Sequence, residues 1–389
     1  LEKARENLKQ LRGNPRKPNK IKEHPGLTRR SLLKTVASSA ALAGPVSLFN
    51  INHAWAKDVV WDGEPFDAGG ATIRINEWGG FWQEIMTKEV IEDFENTYNC
   101  NVAYDSSFPW FPKYVANGAE NPAFHVGNWN LNEIIKLGRI GDFFLSTEEM
   151  QESIPNAADC WDFAFGSGLG ITWGFGQYAY AYRTDLLDPA PVGFKSFWDE
   201  RLANKRATYI TSNGLQQVFF MTAAAEFGSG QTDMEAGFDA MRRAMPMKIS
   251  DFTGNMQTLV ERGEVEMGVQ WEGEIFLMMD KGIPVAPLTW DRKPVLTQTH
   301  TVSRYSDPIE KKLSLALVNA KLDPAFQTAA AEAFYLRPSN KKAVLPERLT
   351  SKGITNTADA LEGLWIPDWN WFLDNEDEIT ETVNEIFAG

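Results

Sequence analysis

The sequence predicts an α/β protein of two lobes, each a mainly parallel sheet flanked by helices, with short crossing strands between them. Three observations carry this. Strand-like and helix-like periodicities alternate along the chain, the pattern of a parallel sheet covered by helices. The alternation occurs twice, once before residue 140 and again from residue 178 onward. The 389 residues exceed what one hydrophobic core accommodates, while no repeat, low-complexity tract or long linker sets the halves apart.

The elements follow in order. Ala71 to Asn76 alternates as a strand, and Glu77-Trp78-Gly79-Gly80 ends it in a glycine turn. Phe81, Trp82, Ile85, Met86, Val90, Ile91, Phe94 and Tyr98 recur at three and four, one buried stripe of a helix. Asn101 to Tyr104 is the next strand, and Leu131, Ile134, Ile135 and Leu137 mark a helix ended by Gly138. In the second half, strands are expected at 178–183, 207–211, 265–271 and 284–288. Helices are expected at 215–227, around 238–245, at 256–262 and at 275–281. The tail is helical: 308–319, 324–335 opened by Asp323-Pro324, and an acidic last helix at 376–387. Residues 172–183 outward and 299–305 on return are the candidate crossings, so residues 57–172 plus 305–389 form lobe 1 and residues 173–304 lobe 2.

Ahead of the lobes, Thr28-Arg29-Arg30-Ser31-Leu32-Leu33-Lys34 sets twin arginines before an apolar, alanine-rich run ending near Phe49. Ala54-Trp55-Ala56 then offers a small-x-small cleavage site. This is the layout of a twin-arginine signal peptide over residues 1–56, with cleavage after Ala56 and the periplasm as destination. No cysteine stands at the cut to receive a lipid. No other stretch reaches the roughly 20 apolar residues that span a bilayer.

The leader hides the charge of the remainder. It carries eleven Lys and Arg against three acids, a net of +8, so residues 57–389 carry −22 where the whole chain carries −14. Such a balance argues against nucleic acid or an anionic membrane as partner. Cys100 and Cys160, the two cysteines, have two readings: one disulfide, worth about 4 kcal/mol by chain-entropy arguments, or two separate buried thiols.

Ligands of open α/β sheets gather outside the carboxyl ends of strands. Here those positions are aromatic and acidic: Glu77, Trp78, Phe81 and Trp82; Asn128, Trp129 and Asn130; Thr211, Ser212 and Asn213; Gln270, Trp271, Glu272 and Glu274; Trp290 and Asp291. Trp173 lies at the expected crossing. Ring faces attract cations and carboxylates neutralise them, so the set suits an amine or quaternary ammonium. Ordinary structural roles compete. Trp82 continues a helix stripe and reads as core, Glu272 and Glu274 suit a helix N-terminus, and Trp365, Trp369 and Trp371 read as sealing the tail. Trp78 and Trp271 stand between the two readings.

Four segments carry a family resemblance: Ile171-Thr-Trp-Gly-Phe-Gly-Gln-Tyr-Ala-Tyr-Ala-Tyr-Arg-Thr-Asp185, Ser196-Phe-Trp-Asp199, Leu259-Val-Glu-Arg-Gly-Glu-Val-Glu-Met-Gly-Val-Gln-Trp-Glu-Gly273 and Arg337-Pro-Ser-Asn340. In order and spacing they resemble the family 1 extracellular solute-binding proteins of ABC importers, in the branch that includes spermidine/putrescine-binding proteins. The resemblance covers most of residues 57–389. It implies a periplasmic-binding-protein-like fold of type II, a clamp that closes on a small solute and presents it to an inner-membrane ABC permease, as a monomer and without a cofactor. It also implies that Trp271 and the acid after it form an aromatic-plus-carboxylate site, with Trp173 near the ligand. Three features depart from the family pattern: the glutamate after Trp271, a tryptophan at 129 where aspartate or serine is common, and the twin-arginine leader.

The leading expectation is therefore a binding protein for a cationic amine, polyamine or betaine-like, contacted by Glu77, Trp78, Trp129, Trp173, Ser212, Trp271, Glu272, Glu274 and Trp290. Ferric-iron capture by Tyr178, Tyr180 and Tyr182 is the alternative, although tyrosines at alternate strand positions share one face and suit packing. An exported enzyme has little support. Beyond the leader the chain has two histidines, His125 and His300, and no C-x-x-C, G-x-S-x-G or dinucleotide fingerprint.

Overall fold

Two groups of parallel strands, joined end to end through one long shared strand, organise the protein. The computed structural model describes residues 61–389; the twin-arginine motif and Ala56 lie outside the described residues. The first group opens with β1 (Thr72–Asn76), which buries Ile73 and Ile75 and exposes Thr72 and Arg74. The turn after it needs glycine, since Gly80 has φ +62°. Helix α1 (Phe81–Met86) then runs through a π-turn (Thr87–Ile91) into α2 (Glu92–Tyr98). The predicted stripe packs inward at Met86, Val90, Ile91, Phe94 and Tyr98.

Beyond β2 (Asn101–Asp105) come two elements without a clear sequence signal, α3 (Phe111–Asn117) and β3 (Val126–Trp129). Helix α4 (Leu131–Ile140) opens on an Asn130–Glu133 capping box, passes through Gly138 and stops at Gly141. Helix α5 (Thr147–Ser153) is capped in the same way by Ser146 and Glu149. Strand β4 (Ile171–Arg183) follows. The second group comprises β5 (Arg206–Tyr209), α6 (Gly214–Phe227), α7 (Met234–Ala244), β6 (Lys248–Ser250), α8 (Thr253–Glu261), β7 (Met267–Trp271), α9 (Glu272–Asp280) and β8 (Val285–Pro287). Strand β9 (Lys293–Val302) leads back to α10 (Pro308–Lys321), α11 (Pro324–Phe334) and β10 (Arg337–Pro338). The chain closes with β11 (Leu364–Trp365), α12 (Trp369–Asp374) and α13 (Glu376–Ala388).

The strand order is β2-β1-β3-β9-β4-β7-β5-β6. β1 pairs in parallel with β2 and β3, and β5 with β6 and β7, while β9 and β4 make the antiparallel joints. The near half of β4 pairs with β9 up to Gln177, and the far half with β7 from Tyr178. The outward crossing is thus the one read from sequence. The return comes earlier than expected, through 293–302 rather than 299–305.

Strand directions have a geometric consequence. β3 runs the same way as β4 because each is antiparallel to β9, whereas β7 runs against β4. Trp129 ends β3 level with Thr172, through Thr299, and Trp271 ends β7 level with Tyr178. The carboxyl ends of the two parallel groups therefore point at each other along β4, across six residues or roughly 20 Å of strand.

By their contacts the described residues hold together as one unit, within which two large hydrophobic cores are distinct. One gathers Ile73, Ile75 and Phe94 with Leu313 and Leu317 of α10; the other gathers Tyr180, Phe219, Met241 and Val269. Chain order places all of 305–389 with the first lobe. α10 and α11 do pack there, but Trp369, Phe372, Ile379 and Val383 of the last two helices lie in the second core, with Trp365 and Trp371 against it. Of the two readings for the cysteines, the structure has separate buried thiols: Cys100 and Cys160 are both free, and burial pushes them up to about 11 and about 12. The disulfide is not formed.

One close approach is demanding. A β-carbon on Gly127 would lie 1.8 Å from the Trp129 indole nitrogen. Gly127→Ala is expected to cost about 1–3 kcal/mol in urea unfolding, with part of the loss recovered when Trp129→Phe is added.

Candidate functional site

The first half of the site is built where β1 and β3 end. Glu77 is fully buried, and its Oε2 receives the Lys321 ammonium from the end of α10 at 2.8 Å. Oε1 accepts the Trp82 indole at 2.9 Å, the Trp78 backbone N–H at 3.2 Å and the Asn128 amide. Asn128 also donates to Gln298 Oε1 at 2.8 Å and accepts the Trp173 indole at 3.2 Å. Gln298 accepts the Trp78 indole at 3.1 Å. Three indoles are thus aimed by one polar network, and its single carboxylate already has a buried cation. Trp82 stacks on Phe334 at 3.9 Å and meets Trp173 edge-on at 6.0 Å. Trp173 lies parallel to His300 at 5.6 Å, and burial holds that imidazole well below its usual range, hence neutral.

The second half lies where β7 passes into α9. Trp271 is half-buried, packs against both cores and lies over Gly176, where a β-carbon would meet its ring at 3.3 Å. Glu272 is clamped by the Arg337 guanidinium, with both groups buried. Glu274 differs. Thr253 of α8 and Trp271 approach it as donors, yet its Oε2 is buried without a partner, and burial raises the carboxyl from 4.5 to about 7. The α9 N-terminus favours the anion there, but desolvation wins. Of the three candidate carboxylates, two are neutralised within the protein and one is not.

The remaining expected residues lie apart from this network. Trp129 is in a small aromatic core with Trp110, Tyr114 and Phe144, its indole bonded to Thr301 at 2.9 Å. Trp290 packs on Tyr180 and Phe194. Ser212 is exposed in the turn before α6. Sequence reasoning missed Lys321, Arg337 and Gln298 as partners, because each arrives from an element distant in the chain. It also missed an apolar rim: Phe108 after β2, Ile210 after β5 and Phe252 after β6 are exposed at strand carboxyl ends, as is Phe81 after β1.

The tyrosines of the iron alternative are core groups. Tyr180 sits among Phe194, Phe197, Phe219 and Trp290, and burial raises the Tyr178 and Tyr180 hydroxyls away from the phenolate that iron requires. Among the described residues no three His, Cys, Asp or Glu side chains group as a metal site.

Opposed strand ends, an aromatic platform and a buried carboxyl without a cation thus meet along β4. Residues 89–357 match the family of bacterial extracellular solute-binding proteins, and the chain belongs to that family of binding proteins rather than enzymes. The spermidine/putrescine-binding periplasmic protein of Salmonella typhimurium is 22% identical over 203 residues, 50% of this chain and 57% of that protein. The chain thus spans a little over half the length of this curated relative. A putative extracellular solute-binding protein from Bordetella parapertussis shares the fold with a TM-score of 0.66 at 19% identity, over 81% of this chain and 98% of that one. The spermidine/putrescine ABC transporter substrate-binding protein of Streptococcus pneumoniae does so with a TM-score of 0.63 at 15% identity, over 82% and 100%. The periplasmic-binding-protein-like fold is thereby established. No helix among the described residues is long and apolar enough to cross a membrane.

Glu274 generates a stability prediction with a definite sign. The folded carboxyl keeps its proton up to about pH 7, while the unfolded chain releases it near 4.5. The folded state therefore holds the extra proton, and stability falls as pH rises through that window. Glu274→Gln removes this cost. Urea unfolding should show a gain of about 3 kcal/mol at pH 8 and none at pH 4. Glu133, also raised to about 7 by burial, keeps part of the slope in the variant.

Proposed function

We propose that this protein is the solute-binding component of an ABC importer, taking a small cationic amine between its lobes and handing it to an inner-membrane permease. The observation that carries the reading is Glu274: a buried carboxyl with no internal cation just past the end of β7, across β4 from an aromatic platform whose own carboxylate is already paired. A cation entering there gains a counter-charge and ring faces together. The polyamine-binding names of the relatives support the same class.

In this reading Trp78, Trp173 and Trp271 contribute the aromatic walls, Glu274 the charge, and Glu77 and Glu272 hold the walls in place. Residues 57–172 plus 305–389 form one lobe and 173–304 the other, with α12 and α13 lying on the second. Export through the twin-arginine translocase, cleavage after Ala56 and monomeric action in the periplasm complete the proposal.

The lobes rotate about β4 and β9 when a solute bridges both faces. Isothermal titration against putrescine, spermidine, choline and glycine betaine should give saturable binding by at least one of them. The ligand at a hundredfold excess over Kd should stabilise the fold by about 2.7 kcal/mol. Binding of a carboxylate or phosphonate with no response to any amine refutes the reading.

A further inference from the structure

The orphaned oxygen of Glu274 has company. Tyr209 hydroxyl and both ends of the Gln270 amide are also buried without partners. All three side chains are at least nine-tenths buried, Tyr209 and Gln270 completely. Unpaired buried polar atoms are costly and uncommon, so several at one place point to an absent partner.

The topology brings them together. β5 pairs with β7 in parallel at Arg206↔Met267 and Ala207↔Gly268, and the same register sets Tyr209 beside Gln270. By strand alternation both share the face of Gly268, where a β-carbon would meet Met256 and Val260 of α8. Thr253, the first residue of α8, reaches Glu274, and Tyr209 is in electrostatic contact with that carboxyl. Two strand ends and two helix N-termini thus converge on one polar spot. No charged group faces Glu274 from them: β5 presents Tyr209, β7 presents Gln270 and Trp271, α8 presents Thr253, and Glu272 on its own helix is turned to Arg337.

We infer that Glu274, Gln270 and Tyr209 form the second-lobe subsite for a primary or secondary ammonium, which enters by displacing the carboxyl proton of Glu274. The inference rests on the cationic-amine reading and narrows it. The subsite presents three acceptors, the Glu274 carboxylate, the Gln270 carbonyl and the Tyr209 hydroxyl oxygen, and an R–NH3+ group brings three N–H donors. A quaternary ammonium brings none and leaves the acceptors orphaned. The exchange balances: the carboxylic acid and the ammonium give a carboxylate–ammonium pair and one proton passed to solvent. Because free Glu274 titrates at about 7, proton and ligand compete below neutrality. Affinity should fall as the solution is acidified and level off on the alkaline side.

The test is isothermal titration of the wild-type protein with putrescine at pH 6.5 in two buffers of different ionisation enthalpy, with choline as the N–H-free control. The expected result is release of between half a proton and one proton per putrescine, and putrescine binding more tightly than choline. Glu274→Gln should abolish the proton release and weaken putrescine by roughly tenfold to a hundredfold, the worth of a charge-assisted hydrogen bond. Tyr209→Phe should weaken it several-fold without changing the proton count. If putrescine binds with no proton released and Glu274→Gln binds it equally well, the orphaned atoms hold only ordered water and the inference is overturned. If no amine binds to the wild type, it is the underlying amine reading that fails. The wild-type proton count needs no variant to fold.

Discussion

The aromatic platform at the ends of β1 and β3 depends on one buried ion pair, Lys321 with Glu77. Removing two charges from water is expensive and is recovered only when geometry and further hydrogen bonds are good. Here they are: the carboxylate takes an ammonium, the Trp82 indole, the Trp78 backbone N–H and an amide. Through those bonds the pair determines where Trp78 and Trp82 stand, and through Asn128 it also reaches Trp173. Loss of either partner would leave a charge stranded under the aromatic platform, at a cost of several kcal/mol. The pair contributes orientation rather than free charge, so the platform presents rings without a field.

That platform would be idle without the strand directions. β4 serves two sheets in succession, so the parallel strands on either side must run toward each other. The strand-to-helix turns of the two groups then face each other along β4. The last two helices add a tie across it. Lys136 of α4 binds Glu376 at 2.8 Å, and Arg139 meets Asp374 at 3.0 Å, while the apolar sides of α12 and α13 lie in the second core. Chain order had assigned this tail to the other lobe. Helical periodicity says that a face will be buried but not against which neighbour.

Most of the architecture was legible because its signals are local. The Phe81–Tyr98 stripe, the Asp323-Pro324 helix start and the crossing at 172–183 need only spacing and caps. β3 and β6 escaped because Val126-Gly127-Asn128-Trp129 and Lys248-Ile249-Ser250 are short and hold no apolar run, whereas the equally short β5 and β8 are marked by Tyr209-Ile210 and Val285-Ala286-Pro287-Leu288. Gly138 misled because it sits inside α4, where packing against Leu169 rather than a turn explains it. Trp129 and Trp290 lie at strand ends as expected, yet their rings are in cores. A strand end gives the position of an α-carbon, and the rotamer decides on which side the indole is buried.

The carboxylates show the limit most sharply. Glu272 and Glu274 sit two residues apart in the first turn of one helix, with the same charge and the same exposure of the backbone dipole. In sequence they are interchangeable. What separates them is that β10 pairs with β4 and so delivers Arg337 to the Glu272 side, while the Glu274 side faces the ends of β5 and β7, which bring a phenol and an amide. One position becomes a fastening between α9 and β10 and the other an unmet electrostatic demand. Long-range pairing, more than residue type, decides which acid remains unpaired.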